Sequence, residues 1–139
     1  IVNVTGGMQD QCGFKNDNGE YLTENDYNDD MPTNAESRYK EHGEWAYPIF
    51  PAVRTLQGSI PTPYIFDDIA SYKDTADGIM YWFEKTNEER KEAGLKGRNY
   101  FMSEETGLSA ENMGKRFIKD INTCLEKWTP RKQNELIKL

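Results

Sequence analysis

The chain has 139 residues and a formal charge of −7, enough for one domain that buries roughly two-thirds of its unfolded-chain surface. The charge is uneven: residues 1–44 carry ten acids against three bases, whereas residues 45–139 carry fourteen of each. An acidic face of this kind disfavours nucleic acid and anionic membranes as partners, and no apolar run approaches the roughly 20 residues of a membrane span.

The supply of core residues is thin. Leu, Ile, Val and Phe number only 25 of 139, near the level at which a highly charged chain fails to fold. Against that stand 17 aromatic residues, each with a large apolar surface. The composition predicts a small aromatic-rich core and a substantial irregular part. Cys12 and Cys124 lie far apart without a paired motif, which reads as two free thiols in a reducing, cytoplasmic compartment.

In chain order, Ile1–Val4 reads as a short half-buried strand that Gly6 and Gly7 terminate. Residues 15–44 are rich in Asn, Asp, Gly and Glu without a sustained period, and a loop of that length is usually functional or mobile. Its Asn16-Asp17-Asn18-Gly19 stretch fails as a calcium loop, because Phe14 falls where the first carboxylate belongs. Residues 44–53 and 62–68 read as extended edge segments, with Pro48 and Pro51 opposing a central strand. Three helices follow. Asp74 is placed to cap the first, and Thr86-Asn87-Glu88-Glu89 forms a capping box for the second, which Gly94 and Gly97 weaken. Ser109 caps the third, where Ala110, Met113, Phe117, Ile121, Cys124 and Trp128 recur at helical spacing and predict a packed stripe. Pro130 ends it.

A lone strand followed by helices cannot bury both faces of a sheet, so the pattern suggests an α/β domain whose other strands are absent. The strand entering Thr5-Gly6-Gly7, the acid at Asp10, the Asp74-led helix, Asn87–Arg90 with Gly94, Gly97 and Arg98, and the long terminal helix together resemble one family. They are similar to the C-terminal part of group-1 nucleotide-sugar glycosyltransferases of the GT-B architecture, in a longer phage or bacterial variant. About half the chain carries the resemblance; residues 15–68 depart from the common pattern.

The resemblance implies a partial Rossmann-like α/β domain with few strands, a long irregular loop region and three C-terminal helices, spanning residues 1–139 as one partial domain. Within it, residues 1–14 form the strand and Gly-Gly loop, 15–68 the acidic loop and extended segments, and 69–139 the helical part. It further implies a retaining transfer of sugar from a nucleoside-diphosphate donor to a hydroxyl of a glycan acceptor, without metal or other cofactor. The family's glutamate-bearing loop and N-terminal domain are not in this sequence. The chain is therefore expected to be a fragment, inactive alone, with no catalytic residue of its own.

The candidate donor-contacting residues are Thr5, Gly6, Gly7, Gln9, Asp10 and Arg54. Glycines admit close backbone approach to a diphosphate or sugar hydroxyl; amide and carboxylate side chains suit sugar hydroxyls; Arg54 suits a phosphate. Each has a plainer alternative: a strand-to-loop turn, ordinary loop polars, and a salt bridge from Arg54 to Asp67 or Asp68. Trp45, Tyr47 and Tyr64 can stack on sugar, but a chain short of aliphatics is expected to keep at least two of them for its core. His42, between acids, reads as a surface residue. The rival reading is a non-enzymatic glycan- or protein-binding module. Either way, an exposed sheet edge at Ile1–Val4 predicts a homo-oligomer that covers it.

Overall fold

The computed structural model describes residues 1–130; the helical part expected over 69–139 thus has its last stretch, 131–139, outside the described residues. The structure is a small mixed α/β domain with two short sheets and several helices. The chain divides into two compact units, Ile1–Tyr100 and the part beginning at Phe101.

In the first unit, strand β1 (Val2–Asn3) pairs in parallel with β2 (Pro48–Ile49). The Val2 and Val4 amides donate to the Tyr47 and Ile49 carbonyls at 3.0 and 2.9 Å. Parallel strands need a long crossover, usually helical. Here it carries no α-helix, only the 3-10 turns Gly6–Cys12, Glu24–Asp26 and Asn34–Glu36. Its Asn- and Asp-rich composition supplies the missing backbone partners from side chains. Asn16 Oδ1 accepts from the Asn18 and Glu20 amides, and Asn28 Oδ1 from those of Asp30 and Met31. Thr23 and Asp26 cap each other's backbone reciprocally. The buried Asn34 side chain bonds both backbone groups of Tyr39. The stretch read as one irregular loop is a series of tied turns.

The core is small and aromatic, as the composition predicts. Val4, Cys12, Phe14 and Ala46 are buried together, with Val2, Leu22, Trp45 and Phe50 packed around them. Phe14 lies 5.8 Å from Phe50, and the Trp45 ring lies 4.7 Å from Tyr100, which in turn meets Tyr21 at 4.8 Å.

The extended segments 44–53 and 62–68 do not keep their expected bounds: the first is divided between β2 and the start of a longer strand, and the second lies within another. Strands β3 (Pro51–Ser59) and β4 (Thr62–Ala70) form one antiparallel hairpin. Pro51 opposes a central strand but not this one, because it stands at the first position of a strand with an open edge. Helix α1 (Tyr72–Glu84) is capped by the Ser71 hydroxyl on the Asp74 amide, not by Asp74 itself, which lies in the first turn. There a carboxylate suits the positive helix end.

Helix α2 (Asn87–Met102) opens with the capping box read from the sequence: the Thr86 amide donates to Glu89 Oε2 at 2.7 Å and the Glu89 amide to the Thr86 hydroxyl at 3.2 Å. Arg90 then reaches back to the Trp82 and Lys85 carbonyls at the end of α1, satisfying acceptors that a helix terminus leaves open.

In the second unit, helix α3 (Ala110–Lys127) is capped by Ser109 as expected. The buried Asn112 side chain bonds the Ser103 carbonyl, and Arg116 bonds those of Glu104 and Glu105. The apolar stripe is real but is not packed by the described residues. Phe117 is 66% and Trp128 69% exposed, and Met113 and Ile121 are exposed too. Periodicity shows that a face is apolar; it does not supply the surface that would cover it.

The two glycines of α2 have opposite meanings. A Cβ added at Gly94 meets nothing within 4 Å, whereas one at Gly97 falls 2.9 Å from Trp45 Cγ. Gly94→Ala should stabilise the fold by about 0.5–1 kcal/mol through helix propensity. Gly97→Ala should destabilise it by about 1–3 kcal/mol through overpacking. Urea denaturation of the two variants checks the pair, and equal effects would contradict this packing.

Candidate functional site

The candidate donor residues fall into three environments. Thr5 ends the first strand with extended backbone, and its side chain makes no cap bond. Gly6 follows at φ 46, a conformation that suits glycine. Gly6 and Gly7 are both exposed, and a Cβ built on either meets nothing within 4 Å. No neighbour in the fold requires this glycine pair to lack side chains.

Gln9 turns the other way. It is buried, and its Oε1 accepts from the Asn34 amide at 2.7 Å, so it serves the fold and is not presented to a ligand. Its neighbours Asp10 and Gln11 are exposed, but their carbonyls are engaged, one by the Tyr100 hydroxyl at 3.0 Å and the other by Trp45 Nε1–H at 2.9 Å. The aromatic cluster therefore holds the backbone of this segment from below while the outer side chains stay accessible. Desolvation raises the Asp10 carboxyl above its ordinary range.

Arg54 is not part of this group. It sits on the hairpin and makes a two-pronged contact with Asp68, at 2.7 and 3.1 Å, which holds the Asp68 carboxyl below its usual range. The plainer of its two readings is the one seen. Of the three aromatics considered for stacking, Trp45 and Tyr47 pack within the fold, Tyr47 over Gly78 and beside Tyr81, while Tyr64 is exposed at φ 64. His42 is partly buried, edge-on to Phe14, and its Nδ1–H donates to the Gly43 carbonyl.

A concavity of about 300 Å³ is lined by Glu44, Tyr81, Lys85, Glu89, Glu92, Ala93 and Lys96. Its charges are committed: Lys96 pairs with Glu44 and Glu92, Lys85 lies over the Tyr81 ring, and Glu89 closes the capping box. Among the described residues no three His, Cys, Asp or Glu side chains converge as metal ligands, and no helix is long and apolar enough to cross a membrane.

Asn34 and Tyr100 escaped the sequence reading. One lies 25 positions from the Gln9 it supports and the other 90 from Asp10. Nothing in a local pattern marks either. No protein-family model, no curated protein and no solved structure matches the chain.

Two predictions follow from this packing. Gln9→Ala leaves the buried Asn34 amide without its acceptor and should cost about 1–3 kcal/mol in urea denaturation; a neutral result would mean water replaces Gln9 at no cost.

The second concerns alkaline pH. Desolvation pushes the Cys12 thiol from 9.0 to about 11, and the Tyr27 and Tyr100 phenols from 10.0 to about 12. All three fold in the neutral form. Their contribution to stability is complete below about pH 9 and drains away as pH rises through 11 and 12. The urea midpoint should fall between pH 8 and 10.5. In parallel, a thiol reagent at pH 8 should label exposed Cys124 but reach Cys12 only after denaturation.

Proposed function

We propose that the chain forms part of the donor-side domain of a retaining nucleotide-sugar glycosyltransferase of the GT-B type, a Rossmann-like fold. The observation that carries this reading is the exposed pair Gly6 and Gly7, set where β1 leaves its parallel partner, with empty space where side chains would stand. Gly6 answers to its own left-handed backbone, whereas Gly7, which neither its backbone nor a neighbour requires to lack a side chain, is accounted for by close approach of a ligand to the backbone. The resemblance in order of segments, from Thr5-Gly6-Gly7 to the terminal helix, supports the same assignment.

In this reading Thr5, Gly6 and Gly7 line the donor's diphosphate or sugar, and Asp10 with Gln11 offers acceptors to sugar hydroxyls. Gln9 acts behind them by fixing the crossover through Asn34. Arg54 takes no part, because Asp68 already holds its guanidinium. No residue of the chain is given a catalytic role. Catalysis in the intact enzyme would rest on cations and backbone dipoles that stabilise the departing diphosphate. Free thiols at Cys12 and Cys124 fit a reducing, cytoplasmic setting.

The rival reading, a non-enzymatic binding module, is favoured by the exposed apolar side chains of the hairpin, Val53, Leu56, Ile65, Phe66 and Ile69.

Titration of the isotope-labelled chain with UDP, GDP and ADP, read by amide NMR shifts, separates the two. The donor-site reading expects the amides of residues 5–8 to move at millimolar nucleotide. Gly7→Ala should weaken that response several-fold while leaving stability within about 0.5 kcal/mol, since the new methyl touches nothing in the fold. Unmoved amides with all three nucleotides would reject the proposal.

A further inference from the structure

From the pattern of side chains on helix α3 we infer that it is a self-association surface, which pairs antiparallel with the α3 of a second copy of the same chain. The back of the helix is taken by its own unit: Asn112 bonds the Ser103 carbonyl, and Arg116 those of Glu104 and Glu105. The apolar face turns away from that segment. Phe117, Ile118, Ile121, Leu125 and Trp128 are 42–71% exposed, and Cys124 is exposed among them. Phe117, Ile121, Cys124 and Trp128 follow one another at steps of four, three and four residues, the seam of a paired helix. Ile118 and Leu125 flank this seam on one side, and Asp120 and Lys127 on the other.

The occupant follows from the charges beside the seam. Asp120 and Lys127 stand seven positions apart, both are exposed, and neither shares an ion pair with another described residue. Two copies related by a two-fold axis present the same patch to each other, so the patch must complement itself. In an antiparallel pair of helices, residues on the same flank of the seam face each other across it. Where Ile121 meets the other copy's Cys124 and Phe117 meets its Trp128, Asp120 falls opposite Lys127 at both ends of the contact. On the other flank Ile118 meets Leu125. A slip of one heptad in one direction sets Asp120 against Asp120, and in the other direction Lys127 against Lys127. A parallel pair places Asp120 beside Leu125. One arrangement alone pairs both charges and covers the apolar side chains.

The helix as a whole permits this approach. Its three acids and four bases nearly cancel, whereas residues 1–44, which hold the whole net charge of −7, would repel their own copy. An anionic membrane is the poorer occupant, because Glu111 and Asp120 border the apolar face on its two sides. The overlap from Phe117 to Trp128 is about 18 Å long. It removes on the order of 1,000 Å² from water, the low end for a specific contact, so the dimer should be weak and concentration-dependent. Nothing in this pairing depends on what binds at Gly6 and Gly7.

Sedimentation of the full chain from about 5 to 500 µM tests it, a range chosen to span micromolar dissociation constants. The wild type should shift from monomer to dimer across that range, and its Cys124 should react with a thiol reagent several-fold more slowly at the upper end. Phe117→Lys should weaken association at least tenfold while leaving the helical circular dichroism of the monomer unchanged, since this side chain is exposed. Asp120→Lys and Lys127→Asp each set like charges together and should weaken it several-fold. The exchange Asp120→Lys with Lys127→Asp keeps the complementarity and should restore the dimer; this separates a lost contact from an unfolded helix. Val53→Lys on the hairpin should leave association unchanged. The inference is overturned by a wild type that stays monomeric at the highest concentration or grows past a dimer. It is equally overturned by a dimer that survives Phe117→Lys, by an exchange that fails to restore association, or by a Cys124 whose reactivity ignores concentration.

Discussion

The packing of one side chain, Trp45, holds the first unit together. Gly13, Gly43 and Gly97 all press against its indole ring so closely that a methyl on any of them would fall 2.3–2.9 Å from a ring atom. Its N–H ties down the Gln11 carbonyl, and its ring meets Tyr100 and Tyr21. One residue thus links the segment after β1, the end of the crossover and the middle of α2. A chain with so few aliphatics cannot spread its core over many small contacts, and it concentrates them on a flat ring set against bare backbone.

This arrangement explains why the outer surface of residues 5–11 is open. The carbonyls of Asp10 and Gln11 are bound from the inside by Tyr100 and Trp45, and Gln9 anchors the same segment to Asn34. Gly6 supplies the left-handed backbone of the turn, and Gly7 bears no load. A backbone fixed on one side and bare on the other is the condition for a preorganised contact with a polar ligand, which is the basis of the donor-site reading. The hairpin represents the opposite case, where the fold leaves apolar side chains outside.

The legible parts of the sequence were those whose causes are local. The capping box at Thr86 and Glu89 and the Ser109 cap are read from neighbours a few positions apart, and both stand in the structure. At the start of α1, Ser71 and Asp74 both precede the apolar run, and only backbone geometry selects the Ser71 hydroxyl as the cap. Of the extended segments 44–53 and 62–68, the second is in the hairpin but the first enters it only at residues 51–53, and the strand Pro51–Ser59 that pairs with Thr62–Ala70 continues through residues that carry no clear extended pattern. The polar segment around Gln9 suggests a ligand contact, whereas Gln9 is a buried strut whose partner, 25 residues away, no local pattern marks. The period of the α3 stripe identifies an apolar face but not its cover, which is not present among the described residues.

The crossover from β1 to β2 also bears on the order in which the molecule assembles. Residues 2 and 48 must meet across a long stretch with no helix to shorten the search, and closing such a loop is repaid only once both ends are docked. The hairpin and the helices close over short distances and can form earlier. The N-terminal strand is therefore expected to dock last and, in a weakened variant, to detach first. Since the glycine pair follows that strand directly, a ligand held there would recognise only the finished fold and would protect it against unravelling from that end.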